Sequence, residues 1–150
     1  MADQNDSDVL NRVLVRVYRG LLQYAVDCWP WTAASEFQQN GSTEQKALEQ
    51  MAARQRSFIA RLVDLLSRRG QIVDFGSYPD NSELHYVALD YLLRKLVADE
   101  ERLVVELESA RTALENDREA AGLVSDMLTA EKEHIARLEQ MARAAAPASL

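Results

Sequence analysis

Three ionisable residues occupy positions that helical periodicity reserves for apolar ones. In LTAEKEHIARLEQM and the residues before it, Val124, Met127, Leu128, Ile135, Leu138 and Met141 repeat at i, i+3, i+4, i+7. Glu131 and His134 lie on that same stripe. On the preceding helical pattern, Glu100 interrupts Leu89, Leu93, Leu96, Leu103, Leu107, Ala110 and Leu114. A carboxylate inside a buried stripe is costly unless it is paired or binds something. Two carboxylates and one imidazole form a ligand set for iron, manganese or zinc. Each acid has a rival. Glu133 could face inward instead of Glu131, and Glu101 keeps step with Val97, Val104 and Glu108 on a flanking face. The stripes favour Glu131 and Glu100. Without a metal, the trio reads as a hydrogen-bonded network with a charged His134 set against Glu100 or Glu131.

Four helices would position these groups. The first begins near Ser7, turns Leu10, Val13, Leu14, Val17, Leu21 and Tyr24 inward, and is ended or kinked by Pro30. Residues Thr32 to Ser42 read as a connection. Ser42 and Gln45 look like a capping box opening the second helix, whose stripe is Leu48, Met51, Gln55, Phe58, Ile59, Leu62, Leu65 and Leu66. Gly70 follows the basic Arg68-Arg69 end as a natural stop. The third helix runs from about Ser82 to about Glu115, and Asn116 with Glu119 looks like the capping box of the fourth. From Gln71 to Asn81 helical periodicity is absent. Extended at roughly 3.3–3.6 Å per residue, that stretch covers about 36–40 Å, the length of the second helix at 1.5 Å rise. It can therefore carry the chain from one end of a bundle to the other. Two antiparallel hairpins joined by one long crossover follow: an all-α antiparallel four-helix bundle, one domain over 1–150 with an ordered core of about 7–142.

The chain resembles the ferritin-like superfamily, most closely bacterioferritin-type bundles. Two stretches carry the resemblance: Leu10-Asn11-Arg12-Val13-Leu14 through Leu22-Gln23-Tyr24, and Asp126 through Glu131-Lys132-Glu133-His134-Ile135. It implies six metal ligands: a Glu from helix one, Glu-x-x-His from helix two, a Glu from helix three, and Glu-x-x-His from helix four. Transferred residue by residue, the first position falls at Val17, which cannot bind metal. Helix two offers Gln55 for the Glu, and Ser57 or Phe58 where the His belongs. Glu100, Glu131 and His134 remain. A di-iron ferroxidase centre needs ligands from both sides, so the expected site is mononuclear or vestigial. Tyr24 and Gln55 would flank it, and the cofactor would be iron, another divalent ion such as manganese or zinc, or none.

Composition narrows the alternatives. A net charge of −7 disfavours nucleic acid and anionic membranes as partners. No apolar run approaches the ~18 residues of a membrane span. MADQNDSDVL has neither a basic nor an apolar leader segment, and the one cysteine, Cys28, suits a reducing compartment, so the expectation is cytoplasmic. His85, about 22 Å along its helix from the other candidates, reads as a capping or half-exposed residue. Arg54, Arg56, Arg61, Arg68 and Arg69 read as a solvated face matching acidic partners. Trp29 and Trp31 around Pro30 either cap the bundle end or anchor a homo-oligomer, for which a dimer is expected. Two rival functions accompany the metal reading: a metal-free bundle serving assembly or protein–protein contact, and a dinuclear site shared between two chains.

Overall fold

The computed structural model describes residues 4–27, 34–77 and 89–145, the backbone alone for 34–42. Among these residues the regular structure is entirely helical: α1 (Gln4–Tyr18), α2 (Leu21–Asp27), α3 (Ala34–Arg68), α4 (Leu89–Ala113) and α5 (Arg118–Ala145). The all-α expectation holds. Cys28, the Trp29-Pro30-Trp31 segment, the Ser82 helix start and His85 lie outside the described residues.

The first helix differs from the expected continuous one. It breaks at Arg19-Gly20, where the Gly20 N–H donates to Val17 O in a tightened turn. Asp99 of α4 accepts the Leu21 N–H at 3.2 Å and so caps α2 from across the bundle. Arg16 holds Asp99 in place, donating to its carboxylate at 3.1 Å and its carbonyl at 2.9 Å. The break rotates the next turn. Leu22, Gln23 and Ala25 are buried, whereas Leu21 and Tyr24, expected inward, are half-buried.

Two expected helix starts also move. α3 is already helical from Ala34, so residues 34–42 of the expected connection are helix and Ser42 is no cap. Gln45 instead donates to Glu49 one turn on. An internal glycine such as Gly41 costs about 1 kcal/mol relative to alanine, too little to end so long a helix. At α5 the cap is Asp117, one residue beyond Asn116. Its carboxylate accepts the Ala120 N–H at 3.2 Å and its carbonyl the Ala121 N–H at 2.8 Å. Arg69 clamps the same carboxylate with two bonds, of 2.6 and 2.9 Å.

The expected stop at Gly70 is present. With φ of 74°, Gly70 lets its own N–H reach Ser67 O and the Gln71 N–H reach Leu66 O, both at 3.0 Å. The chain then lies extended along α1. Asn11 exchanges two hydrogen bonds with the Asp74 backbone, Arg19 donates to Phe75 O and Gly76 O, and the Tyr18 and Phe75 rings meet at 5.0 Å.

Contacts fix the helix directions. Along α3, Arg54, Arg61 and Arg68 pair with Glu133, Asp126 and Glu119 of α5, one partner stepping forward by seven as the other steps back. α3 and α5 are therefore antiparallel. Arg16 meets Asp99 while Val9 and Ala110 line the same groove, so α1 and α4 are antiparallel too. Ser7 lies by Leu66 and Gln23 by Ala52, which opposes the α1–α2 arm to α3. α3 and α4 consequently point the same way, and residues 71–77 run back from the end of α3 along α1.

The interior falls into two apolar clusters. One contains Leu10, Leu14, Val17, Leu62, Leu66, Leu107, Val124 and Met127. The other contains Leu22, Leu48, Met51, Leu92, Leu93, Leu96 and Leu138. Between them, at one level of the bundle, lie buried polar side chains from every arm.

Candidate metal centre

Four of the five helices contribute to this layer: Gln23 from α2, Gln55 from α3, Glu100 from α4, and Glu131 with His134 from α5. Glu100 and Glu131 are each 1% exposed and His134 4%. Glu133, the rival acid, is exposed and paired with Arg54 at 2.6 Å; Glu101 is exposed as well. The stripes identified the inward acids.

Glu100, Glu131 and His134 each offer a ligand atom within 4.8 Å of the others. His134 Nδ1 lies 3.1 Å from Glu131 Oε2, one turn apart on α5. Gln55 Nε2 donates into both carboxylates, at 3.0 Å to Glu100 Oε1 and 3.1 Å to either oxygen of Glu131. Glu100 Oε2 is buried and has no hydrogen-bond partner. An orphaned carboxylate oxygen in an enclosed site costs about 1–3 kcal/mol. It marks a place where something of opposite polarity fits.

Burial governs the protonation of the cluster. It pushes the Glu100 carboxyl well above the usual carboxylate range, and the adjacent Glu131 pushes it further; Gln55 and His134 oppose the rise. Burial raises Glu131 as well, with Glu100, Gln55 and the more distant Arg54 opposing the rise. Burial lowers the His134 imidazole, against the pull of Glu100. Burial thus disfavours charge on all three groups, and with it the charged His134 expected for a metal-free network. A divalent cation would take a neutral imidazole and two deprotonated carboxylates, displacing any proton the carboxyls hold.

The remaining expected positions lie apart. Val17 is buried in the first apolar cluster, as is Phe58, and Ser57 is exposed with its hydroxyl bonded to Arg54 O. Among the described residues, neither side of the first hairpin supplies an acid or imidazole here, which leaves one metal's worth of ligands. Tyr24 packs half-buried against the second cluster.

Gln23 is the residue that sequence reasoning passed over. Its Nε2 donates to Gln55 Oε1 and to Ala52 O, both at 2.9 Å, and its own Oε1 accepts from Arg56 at 3.0 Å. The available signal was a lone amide within Leu21-Leu22-Gln23-Tyr24-Ala25-Val26, beside a glycine able to shift the helix phase. Of the basic set, Arg54, Arg61 and Arg68 pair with α5 acids as expected, whereas Arg56 turns toward the buried layer.

The buried Glu100, Glu131 and His134 group could hold a metal ion. No helix among the described residues is long and apolar enough to cross a membrane. No protein-family model matches the chain, and no curated protein matches it.

Proposed function

We propose that this protein is a divergent ferritin-like bundle whose central layer is a reduced, mononuclear cation site without conventional di-iron ferroxidase chemistry. The unpartnered, buried Oε2 of Glu100, in a carboxyl grouped with Glu131 and His134, carries the reading. The parallel course of α3 and α4, with residues 71–77 running back along α1, supports the ferritin-like assignment. Glu100 and Glu131 would bind through oxygen and His134 through nitrogen, a set suited to Fe(II), Mn(II) or Zn(II). Such an ion would supply charge neutralisation to two carboxylates buried side by side. Transferring the His134 proton to Nε2 leaves the Nδ1 lone pair facing the carboxylates at no change in charge.

The test is elemental analysis with native mass on protein purified under iron-replete conditions, repeated after Fe(II), Mn(II) and Zn(II) addition. One ion per chain, lost in Glu131→Ala, is the expected result. Protein that stays metal-free after each addition refutes the proposal. A metal-free bundle has one observation in its favour, the Gln55 amide already seated between the two carboxylates. Metal found only in dimers would favour the site shared between chains, although the trio is enclosed by its own chain.

A further inference from the structure

The buried amides form a one-way chain from the surface to the cluster. Arg56 Nε donates to Gln23 Oε1, Gln23 Nε2 donates to Gln55 Oε1, and Gln55 Nε2 donates to the carboxylates. Amide orientation is ordinarily ambiguous, but here the outer end determines it. A guanidinium can only donate and a backbone carbonyl can only accept, so Arg56 and Ala52 O together set Gln23, and Gln23 Nε2 in turn sets Gln55.

We infer that Arg56 is a positioning residue for the cation site: through Gln23 it holds the Gln55 amide nitrogen in the place a cation would take. The inference rests on the proposed cation site for its binding consequence, though not for the geometry. Gln55 Nε2 lies within 3.1 Å of three carboxylate oxygens, so a cation drawn to those oxygens meets the hydrogens of an amide. Turning Gln55 would remove the obstruction and present Oε1 as a ligand. Nε2 would then face the Gln23 Nε2, donor against donor. Turning Gln23 as well sets its nitrogen against Arg56 and forfeits Ala52 O. Each reversal leaves a donor unmet, so the chain resists turning as a unit and loosens when either link is cut.

Arg56→Met keeps the aliphatic stem and removes the donor; Gln23→Met cuts the chain without changing charge; Arg56→Lys keeps a donor-only end. The side-chain amide resonances of Gln55 are followed by NMR in chelator, and Co(II) affinity by titration. In wild type and Arg56→Lys, the Gln55 amide should give one protected pair of N–H signals. In Arg56→Met and Gln23→Met it should broaden or double and lose protection. Co(II) affinity should rise about tenfold in both Met variants, the equivalent of one hydrogen bond to a charged group.

An unchanged Gln55 signal in both Met variants overturns the inference whether or not metal binds. Altered amides with unchanged Co(II) affinity overturn its binding consequence. Tighter Co(II) in Arg56→Met alone assigns the gain to lost positive charge and also overturns it. Altered amides with no Co(II) binding in any variant uphold the chain and refute the cation reading instead.

Discussion

Glu100→Gln should make the metal-free protein more stable at neutral and alkaline pH, by an amount that grows with pH. The native Glu100 carboxyl holds its proton well above the ordinary range because it is buried beside Glu131, whereas in the unfolded chain it releases that proton near pH 4.3. Over the interval between those two values the native state binds more protons, so stability falls as pH rises. The slope is about 1.4 kcal/mol per pH unit for one proton. Below pH 4 the group is protonated in both states and contributes no slope. Glutamine mimics the protonated acid: it carries no charge at any of these pH values, and its oxygen accepts from Gln55 as Glu100 Oε1 does. His134 has the opposite sign, because its lowered value adds stability as pH rises toward 6.5. Above pH 7 it is neutral in both states, and the comparison isolates the carboxyls. Urea unfolding followed by circular dichroism, in chelator from pH 4 to 9, reads the difference directly. The two proteins should agree within about 1 kcal/mol at pH 4 and diverge steadily above pH 5. A difference independent of pH, or a variant less stable than wild type at pH 8, would refute the burial argument.

Two further perturbations probe the frame around the site. Asp117→Ala removes the α5 cap and leaves Arg69 only the longer Glu119 pair, at 4.0 Å, and should cost about 0.5–2 kcal/mol for the cap alone. Asp117→Asn should recover most of that loss in urea unfolding. Because Arg69 holds the Asp117 carboxyl below its usual value, its stabilisation is full at neutral pH and is lost on acidification through that lowered value. Gly76→Ala forces a side chain onto φ of 69° and brings its Cβ to 2.7 Å from Val15 Cγ1. It should lower stability by about 1–3 kcal/mol by calorimetry, and Val15→Ala in the same chain should recover the steric part while leaving the backbone part.

The sequence made the inward acids legible because burial within one regular helix is a periodic property. Glu131 and Glu100 share their stripes with leucines, and Gln55 does the same on α3. What periodicity cannot carry is phase across a break. Gly20 resets the first helix, so the reading that placed Tyr24 inward missed Gln23 beside it. Caps were legible by residue type but less so by position: Gly70 falls where expected, while Asn116 yields to Asp117, whose carboxylate also answers Arg69 48 residues away. Arg56 illustrates the limit. As a lone arginine on α3 it is indistinguishable from Arg54 and Arg61, and only the arrival of Gln23 from another helix gives it a buried partner.

The polar layer also has a consequence for which alignment of the helices can form. Leucine-rich faces pack nearly as well after a slip of one turn, since one leucine replaces another. A slip of 5.4 Å would carry Glu100 and Glu131 out of reach of Gln55 and press them against the side chains of Leu96, Leu103 or Met127. Two unmet carboxyls would then lie in hydrocarbon, at a cost comparable with a large part of a small protein's total stability. The layer that invites a cation thus works as a notch, at which four otherwise smooth rods come to rest in a single register.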